Sequence, residues 1–170
     1  MSTGPTNLFD LCTALLAACV DIYEGYDGIT APSLQYVYGA GEPVAACDQL
    51  VVAWQATKPN TPTFAENPMW VNPVMSRRAN LVIMAYRCLT DIPQGGGFEV
   101  TDPEPVPARA TYDAQAIMTD AYILPKGIVA AHYAGTFGNF ASGLAIANVV
   151  PIQADGGVGG CRLDIEAELS

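Results

Sequence analysis

Two segments of the chain carry a hydrophobic pattern regular enough to define an element. Near the N-terminus, apolar side chains at helical spacing predict a helix that runs to about Glu24 and ends at Gly25: Leu8, Leu11, Cys12, Leu15, Leu16, Cys19 and Tyr23. Over residues 161–169, apolar and charged residues alternate strictly. This alternation predicts a half-buried strand whose register is firmly set, because a slip by one residue would bury four charges.

Further strands are predicted in the middle of the chain. Residues 49–57 alternate between apolar and polar positions, and residues 77–90 form a second strand. This second strand is apolar on both faces between Leu81 and Met84, so we expect it at the centre of the sheet. The two strands pair most simply as a hairpin with an elongated, proline-rich loop at 58–76. Residues 34–38 and 144–153 are predicted as additional strands.

A second helix is predicted to start near Ala108. Several side chains repeat at helical spacing there, namely Ala110, Ala114, Ile117, Met118, Ala121 and Tyr122. Pro125 and Gly127 are expected to kink or break this helix, so that residues 128–133 form a second piece. The glycine-rich stretch 155–160 is expected to be a flexible turn.

The order helix, strands, helix, strands is typical of the α+β class. We therefore predict a single domain over residues 1–170, with an antiparallel or mixed β-sheet and two main helices packed on one face. Neither an internal repeat nor a domain linker is visible in the sequence. The predicted core includes Leu11, Leu15, Val52, Trp54, Ile83, Ile117, Leu163 and Ile165.

Composition and charge narrow the class of protein. The 170 residues are 51% hydrophobic and only 14% charged, which excludes a disordered chain. Seven Lys and Arg stand against 17 Asp and Glu, giving a net charge of −10, so a general nucleic-acid binder is disfavoured. A chain with so few charges has much apolar surface to cover, and oligomerisation is the simplest cover.

Five cysteines and one histidine, without Cys-x-x-Cys spacing, disfavour a structural zinc site. Reduced thiols in a cytoplasm fit this pattern best, and the alternative is a Cys47 disulfide with Cys88 or Cys161. The string 16–19, Leu-Ala-Ala-Cys, looks like a lipoprotein cleavage site, but residues 1–11 lack the basic segment of an export signal. The longest apolar stretch, 8–20, is too short to span a bilayer, so no membrane partner is expected.

Candidate catalytic and ligand-binding residues are few. His132 lacks evident partners for acid–base chemistry and is expected to be a packed or interface histidine. Ser142 lacks the flanking glycines of a nucleophile elbow, and the run 95–97 lacks the Lys-Ser/Thr of a phosphate-binding loop. Asp102 and Glu104 are expected to be surface residues of a solvated loop. We therefore expect no catalytic residue, no cofactor and no metal.

The predicted interface residues lie in and next to the 58–76 loop. Phe64, Met69 and Trp70 are large apolar side chains on this loop, where they either dock on a neighbouring molecule or pack on their own domain. Arg77 and Arg78 open the central strand. For them we expect an ion pair at the strand end or a contact with the acidic strand of a neighbouring subunit.

Three short phrases and the element order carry a resemblance to a known family. Asn-Leu-Phe-Asp-Leu-Cys at 7–12 leads to Cys-Asp-Gln-Leu-Val-Val at 47–52, and the chain closes with Gly-Gly-Cys-Arg-Leu-Asp-Ile-Glu-Ala-Glu-Leu at 159–169. Together they resemble the tail terminator and neck proteins of long-tailed phages, particularly those that infect actinobacteria. The longer 58–76 segment and the broken second helix depart from that family.

The resemblance implies a structural virion protein without catalytic residues. In that family a small α+β domain forms a six-membered ring, which caps the tail tube and joins it to the head connector. The implied partners are therefore further copies of the chain, the tube protein and the connector or stopper protein, with DNA passing through the lumen. The implied location is the tail or neck of a virion assembled in the host cytoplasm. The alternatives are a head–tail stopper and, from another class, a small exported lipoprotein or enzyme.

Overall fold

The computed structural model of the chain describes residues 6–39, 43–59, 77–89, 106–155 and 157–169. They form two helices and five strands, in the order α1 (Thr6–Glu24), β1 (Leu34–Tyr38), β2 (Gln49–Pro59), β3 (Arg77–Cys88), α2 (Val106–Tyr133), β4 (Ala141–Asp155) and β5 (Val158–Leu169). The predicted α+β class is therefore confirmed.

The five strands form one mixed sheet in the order β1-β2-β3-β5-β4. Strand β1 runs parallel to β2, and the other three pairings are antiparallel. Strands β2 and β3 pair as the predicted hairpin, with Val52 opposite Ile83. Strand β3 lies at the centre of the sheet, as its apolar character on both faces predicts.

Both helices pack on one face of the sheet. Helix α1 contacts β1 and β2, whereas α2 contacts β3, β4 and β5, and the two helices also contact each other. The main core between helices and sheet contains six of the residues predicted for it: Leu11, Leu15, Val52, Ile83, Leu163 and Ile165. Trp54 is half-buried at the margin of this core, and Ile117 lies outside it, so the prediction for Ile117 is wrong.

The opposite face of the sheet carries a second, smaller apolar cluster. Val51 and Ala53 of β2 lie there with Val82 and Met84 of β3, and all are buried. Because successive side chains of a strand point to opposite faces, these residues alternate with those of the main core. The apolar residues of β3 therefore belong to one apolar cluster on each face of the sheet.

The two most regular patterns of the sequence are confirmed. Helix α1 ends at Glu24, and the Gly25 amide donates to the Asp21 carbonyl at 3.2 Å, which completes the last turn. In β5 the inward positions are buried, and they are Cys161, Leu163, Ile165 and Ala167. The charged residues between them lie on the other face of the strand.

The predicted break in the second helix is wrong. Helix α2 runs without interruption from Val106 to Tyr133 and contains Pro125. A proline removes one backbone donor and crowds the preceding turn, at a cost of about 3 kcal/mol in an isolated helix. Leu124 and Ile128 are fully buried on either side of it. Their packing in the main core supports the helical conformation on both sides of Pro125.

The apolar face read from the α2 sequence is also not the buried one. Met118 and Tyr122 are 73% and 62% exposed, whereas Ile123, Leu124 and Ile128 are buried. The buried face additionally contains Asp120, which is completely shielded from solvent. A count of apolar positions misses this face because it includes a carboxylate.

The glycine-rich segment near the C-terminus is only partly a turn. Strand β5 already begins at Val158 and includes Gly159 and Gly160, so the prediction of a turn over 155–160 is wrong. A Cβ atom at Gly160 would overlap the backbone carbonyl of Ala85 on the neighbouring strand β3. Glycine is therefore required at this position by the close approach of two strands.

A second glycine allows the two helices to approach each other. A Cβ atom at Gly127 of α2 would overlap the side chain of Ile22 on α1. Gly127 directly precedes Ile128, which is fully buried in the main core. The absence of a side chain at 127 therefore sets the spacing between α1 and α2 at this point.

We predict that Gly127→Ala destabilises the protein, although alanine is favoured over glycine in a helix by about 1 kcal/mol. The new methyl group forces Ile22 to move, and such overpacking typically costs about 1–3 kcal/mol. In an Ile22→Ala background the same change should instead stabilise by roughly 0.5–1 kcal/mol. Urea unfolding of the four proteins in this double-mutant cycle measures the difference. An equal effect in both backgrounds would contradict the proposed contact.

Candidate functional site

The most concentrated polar chemistry of the fold is a buried ion pair between β3 and α2. Asp120 is completely buried, and Arg87 is 13% exposed. Arg87 Nε donates to Asp120 Oδ2 and Nη2 donates to Oδ1, each at 2.8 Å. This two-bond geometry is the one in which a guanidinium matches a carboxylate best.

The pair extends to α1 and to the loop that follows it. The Tyr23 hydroxyl of α1 donates to Asp120 Oδ1 at 2.9 Å, and the Arg87 guanidinium carbon lies 5.4 Å from the centre of the Tyr23 ring. Arg87 Nη1 donates to the Thr30 carbonyl at 2.9 Å. Four separate segments of the chain therefore meet at one guanidinium and one carboxylate.

The electrostatics of this cluster keep its protonation states fixed. Burial raises the pKa of the Tyr23 hydroxyl, and the charge of Asp120 raises it further, so the phenol stays neutral. For Arg87, burial alone lowers the pKa, but the hydrogen bonds and charge of Asp120 outweigh burial and raise it. The cluster thus holds a permanently charged arginine and a neutral tyrosine. This arrangement is suited to fixing the positions of its neighbours.

An open cleft of about 510 Å³ adjoins the ion pair. Its lining comes from the α1–β1 loop, the turn before β2, the end of β3 and the first half of α2. It includes Arg87 and three carboxylates: Asp27, Asp48 and Asp113. Asp48 has a structural role, because its Oδ2 accepts from the Ser33 amide at 3.1 Å and its φ of 59° forms the turn before β2. The cleft therefore has an acidic rim. The positive charge of Arg87 beside it is already balanced by Asp120.

A disulfide lies at the edge of this cleft. It joins Cys47, in the turn before β2, to Cys88 at the end of β3, with the two Cα atoms 4.8 Å apart. The expectation that all five thiols are reduced is therefore wrong, and the Cys47–Cys88 alternative is the one that the structure contains. Cys88 directly follows Arg87, so this end of β3 is fixed both to the helices and to the start of β2.

The other three cysteines are buried free thiols: Cys12, Cys19 and Cys161. Burial raises the pKa of Cys12 to about 11 and, with smaller charge effects, the pKa of Cys19 and of Cys161 to about 12. Because the thiolate is the reactive form, these thiols are chemically quiet near neutral pH. The odd number of cysteines thus divides into one disulfide beside the cleft and three inert core residues.

The structure describes two of the five predicted interface residues, Arg77 and Arg78. Phe64, Met69 and Trp70 lie outside the described residues. Arg77 and Arg78 open β3 as expected, and Arg78 is exposed. In register, Arg78 lies between Lys58 of β2 and Glu168 of β5. For these arginines we expected an ion pair at the strand end or a contact with the acidic strand of a neighbouring subunit. Within the subunit, the acidic strand β5 is already the neighbour of β3 in the sheet.

His132 occupies the last turn of α2 next to Tyr133. It is half-buried, its ring centre lies 5.9 Å from that of Tyr133, and its Nδ1 has no hydrogen-bond partner within the described residues. Over the same ranges, no group of three or more His, Cys, Asp or Glu side chains is close enough to hold a metal ion. Neither of the two helices described is long and apolar enough to cross a membrane.

Sequence reasoning missed two features of the site. The ion pair joins residues 33 positions apart, and the hydrogen bond of the Tyr23 hydroxyl to Asp120 joins residues 97 positions apart. A local sequence pattern therefore predicts neither of them. The one available signal was an aspartate three residues before the apolar pair Ile123 and Leu124. The second missed feature is the exposed aromatic surface of α2, because helical spacing predicted the helix but did not show which of its faces is exposed.

We predict that Asp120→Ala destabilises the protein by about 3–5 kcal/mol, because it leaves the Arg87 charge buried without its partner. Tyr23→Phe removes one hydrogen bond and keeps the ring, so it should cost about 1 kcal/mol. The matched control is Arg162→Ala, whose ion pair with Asp164 is about 30% exposed and should contribute roughly 0–1 kcal/mol. Denaturant unfolding at neutral pH ranks the three variants. Equal costs for Asp120→Ala and Arg162→Ala would refute a structural role for the buried pair.

Alkylation at pH 8 with mass detection should separate the two classes of cysteine. Without reductant the native protein should take up no label. At pH 8 a thiol of pKa about 11 is ionised in only about one molecule in a thousand, and one of pKa about 12 in about one in ten thousand. Mild reductant should add two labels, at Cys47 and Cys88, and full denaturation with reductant should add five. Labelling of Cys19 or Cys161 in the folded protein would show that the core is open.

No family model matches this chain, and no curated protein matches it. Its function is therefore inferred from its own residues, from the geometry of its fold and from the resemblance carried by its element order.

Proposed function

We propose that this chain is a structural virion protein, a ring-forming tail terminator that caps the tail tube and joins it to the head connector. The observation that carries the proposal is the combination of a rigid domain with large apolar side chains on its outer surface. Tyr112, Met118, Tyr122 and Tyr133 of α2 are each more than 60% exposed. Such a concentration on one helix is typical of a surface that binds another protein.

The choice of this family rests on the resemblance of the element order and of three short sequence phrases. A helix, three strands, a second helix and a closing strand pair is the order that accompanies the sequence phrases at 7–12, 47–52 and 159–169. The second phrase covers the turn before β2 and the first strand residues, and the third covers most of β5. Each phrase thus lies on an element of the fold and contributes buried residues, such as Leu11, Val52 and Leu163, to the core.

The charge of the chain is consistent with a ring around DNA. A net charge of −10 repels phosphate, so DNA can pass the lumen without being held. Of the seven basic residues, Arg87 and Arg162 are already paired with Asp120 and Asp164. Three others, Lys58, Arg77 and Arg78, lie in register beside one another at one end of β2 and β3.

The Cys47–Cys88 disulfide also supports a virion protein. Disulfides persist in oxidising surroundings, and a released virion is exposed to such surroundings. The bond joins residues 41 positions apart and encloses the 58–76 segment, and cross-links of this kind typically contribute about 2–5 kcal/mol. A particle that must survive outside a cell benefits from this contribution.

The two alternative functions, a head–tail stopper and an exported lipoprotein, are distinguished from a tail terminator by different observations. The head–tail stopper would form the same kind of ring, and gene position separates it from a terminator, whose gene should lie just upstream of the major tail protein gene. The exported lipoprotein is disfavoured by the position of the string 16–19. Cys19 is fully buried in α1, and cleavage before it would remove Leu11 and Leu15 from the core.

The purified protein should form closed rings, seen as a multiple of the 17.9 kDa subunit mass in solution and as annular particles in micrographs. Trp70→Ala should leave the fold intact, with unchanged circular dichroism, and block tail completion or joining. The matched control is Trp54→Ala, which removes a side chain packed against the core and should lower the melting temperature. A protein that stays monomeric, alone and with tail tubes, would contradict the proposal.

A further inference from the structure

Four of the exposed apolar residues of α2 form one continuous stripe, and the exposed Tyr112 lies outside it. Met118, Tyr122, Val129 and Tyr133 follow each other at intervals of four, seven and four residues, which places them on one side of a helix, with Lys126 between them. We call these five residues the α2 stripe. Lys126 Nζ lies 5.4 Å from the centre of the Tyr122 ring, so the positive charge of the stripe is held over its aromatic surface.

The stripe is large enough to be the centre of a protein interface. Tyr122 is 62% and Tyr133 is 85% exposed. With roughly 150–250 Å² for a buried aromatic side chain, these two residues alone expose on the order of 300 Å². A stable interface of standard size buries about 800 Å² on each partner, with an apolar centre and a polar rim. Met118, Val129 and the polar neighbours supply the remainder.

The outward side of α1 has the complementary character. Asp10, Thr13, Ala17, Asp21 and Glu24 are all exposed and follow helical spacing, so they share one side of α1. We call these five residues the α1 stripe. Its centre is formed by the small residues Thr13 and Ala17, and its ends carry three negative charges. Beside it lies an exposed aromatic side chain, Phe9.

The two stripes differ in side-chain size and in charge in a complementary way. Small residues at the centre of the α1 stripe leave room for a tyrosine ring from another helix, and its carboxylates face the charge of Lys126. Pairing of two α1 stripes would instead oppose three negative charges to three others. Pairing of two α2 stripes would bring two Lys126 residues together. Charge therefore favours the contact between unlike stripes.

The positions of the stripes in the fold suit an assembly that grows in one direction. Helix α1 lies over β1 and β2, and α2 lies over β3, β5 and β4, so each stripe belongs to a different half of the helical layer. We propose that the α2 stripe of one copy docks on the α1 stripe of the next copy. Because the two surfaces differ, a docked pair keeps one free α1 stripe at one end and one free α2 stripe at the other. Further copies can therefore add, and the chain of copies closes into a ring when the rotation permits. This inference rests on the proposed ring-forming function and identifies its subunit contact.

Two variants with one blocked stripe each provide the test. Tyr122→Glu places a negative charge on the α2 stripe, and Ala17→Arg fills the centre of the α1 stripe and repels Lys126. Each variant alone should be monomeric, with association weakened at least tenfold. A 1:1 mixture should form a dimer of twice 17.9 kDa and nothing larger, because only one pair of intact stripes remains. Val44→Glu, at an exposed position outside both stripes, is the control and should assemble as the unmodified protein does.

Melting curves must show that both variants are folded, which their exposed positions favour. If the Ala17→Arg variant forms dimers by itself, the α2 stripes pair with each other and the inference is wrong. Rings formed by both variants would also overturn it, while leaving the proposed ring function intact. An unmodified protein that forms no ring would overturn the proposed function, and this inference with it.

Discussion

The fold depends on the neutralisation of one buried charge. Asp120 is shielded completely from water, and an isolated carboxylate in such a place is costly. Its oxygens accept two hydrogen bonds from Arg87 and one from Tyr23, so the structure is stable only when β3, α2 and α1 lie in one particular arrangement. A buried ion pair of this kind adds less to stability than apolar packing would, but losing one partner is expensive. Its main effect here is therefore to fix the arrangement of the elements.

The remaining contacts reinforce the same arrangement. Beside Arg87, the Cys47–Cys88 disulfide ties the end of β3 to the start of β2. Gly160 allows β5 to approach β3 where a side chain would prevent it, and Gly127 does the same between the two helices. Each of these constraints fixes one element against its neighbour. These constraints hold the inner part of the molecule in place. They do not restrict which side chains occupy the outer faces of the helices.

Rigidity and an apolar outer surface together explain how such a chain can serve in an assembly. A preformed contact surface loses little conformational entropy when it binds, so most of its contact energy appears as affinity. The large side chains of the α2 stripe stand on a helix whose other side is anchored by Leu124 and Ile128. In the ring that we propose, each subunit must present its contacts at the same angle, and the constraints between the helices and the sheet suit this requirement.

The sequence by itself determined the elements whose side chains alternate between core and solvent. The α1 pattern and the strict alternation of β5 follow from local spacing, because burial on one side imposes a period of 3.6 or 2 residues. The central place of β3 follows from its continuous apolar run, because a strand covered on both faces needs apolar residues on both. The tertiary structure alone decided the rest. Helix α2 continues through Pro125 because its flanking turns are packed, and its inner face includes Asp120 because Arg87, distant in sequence, neutralises it. The same holds for the pairing of Cys47 with Cys88 and for the place of Gly160 in a strand. Both depend on which distant segments lie next to each other in the fold, and a local sequence pattern contains no information about such long-range contacts.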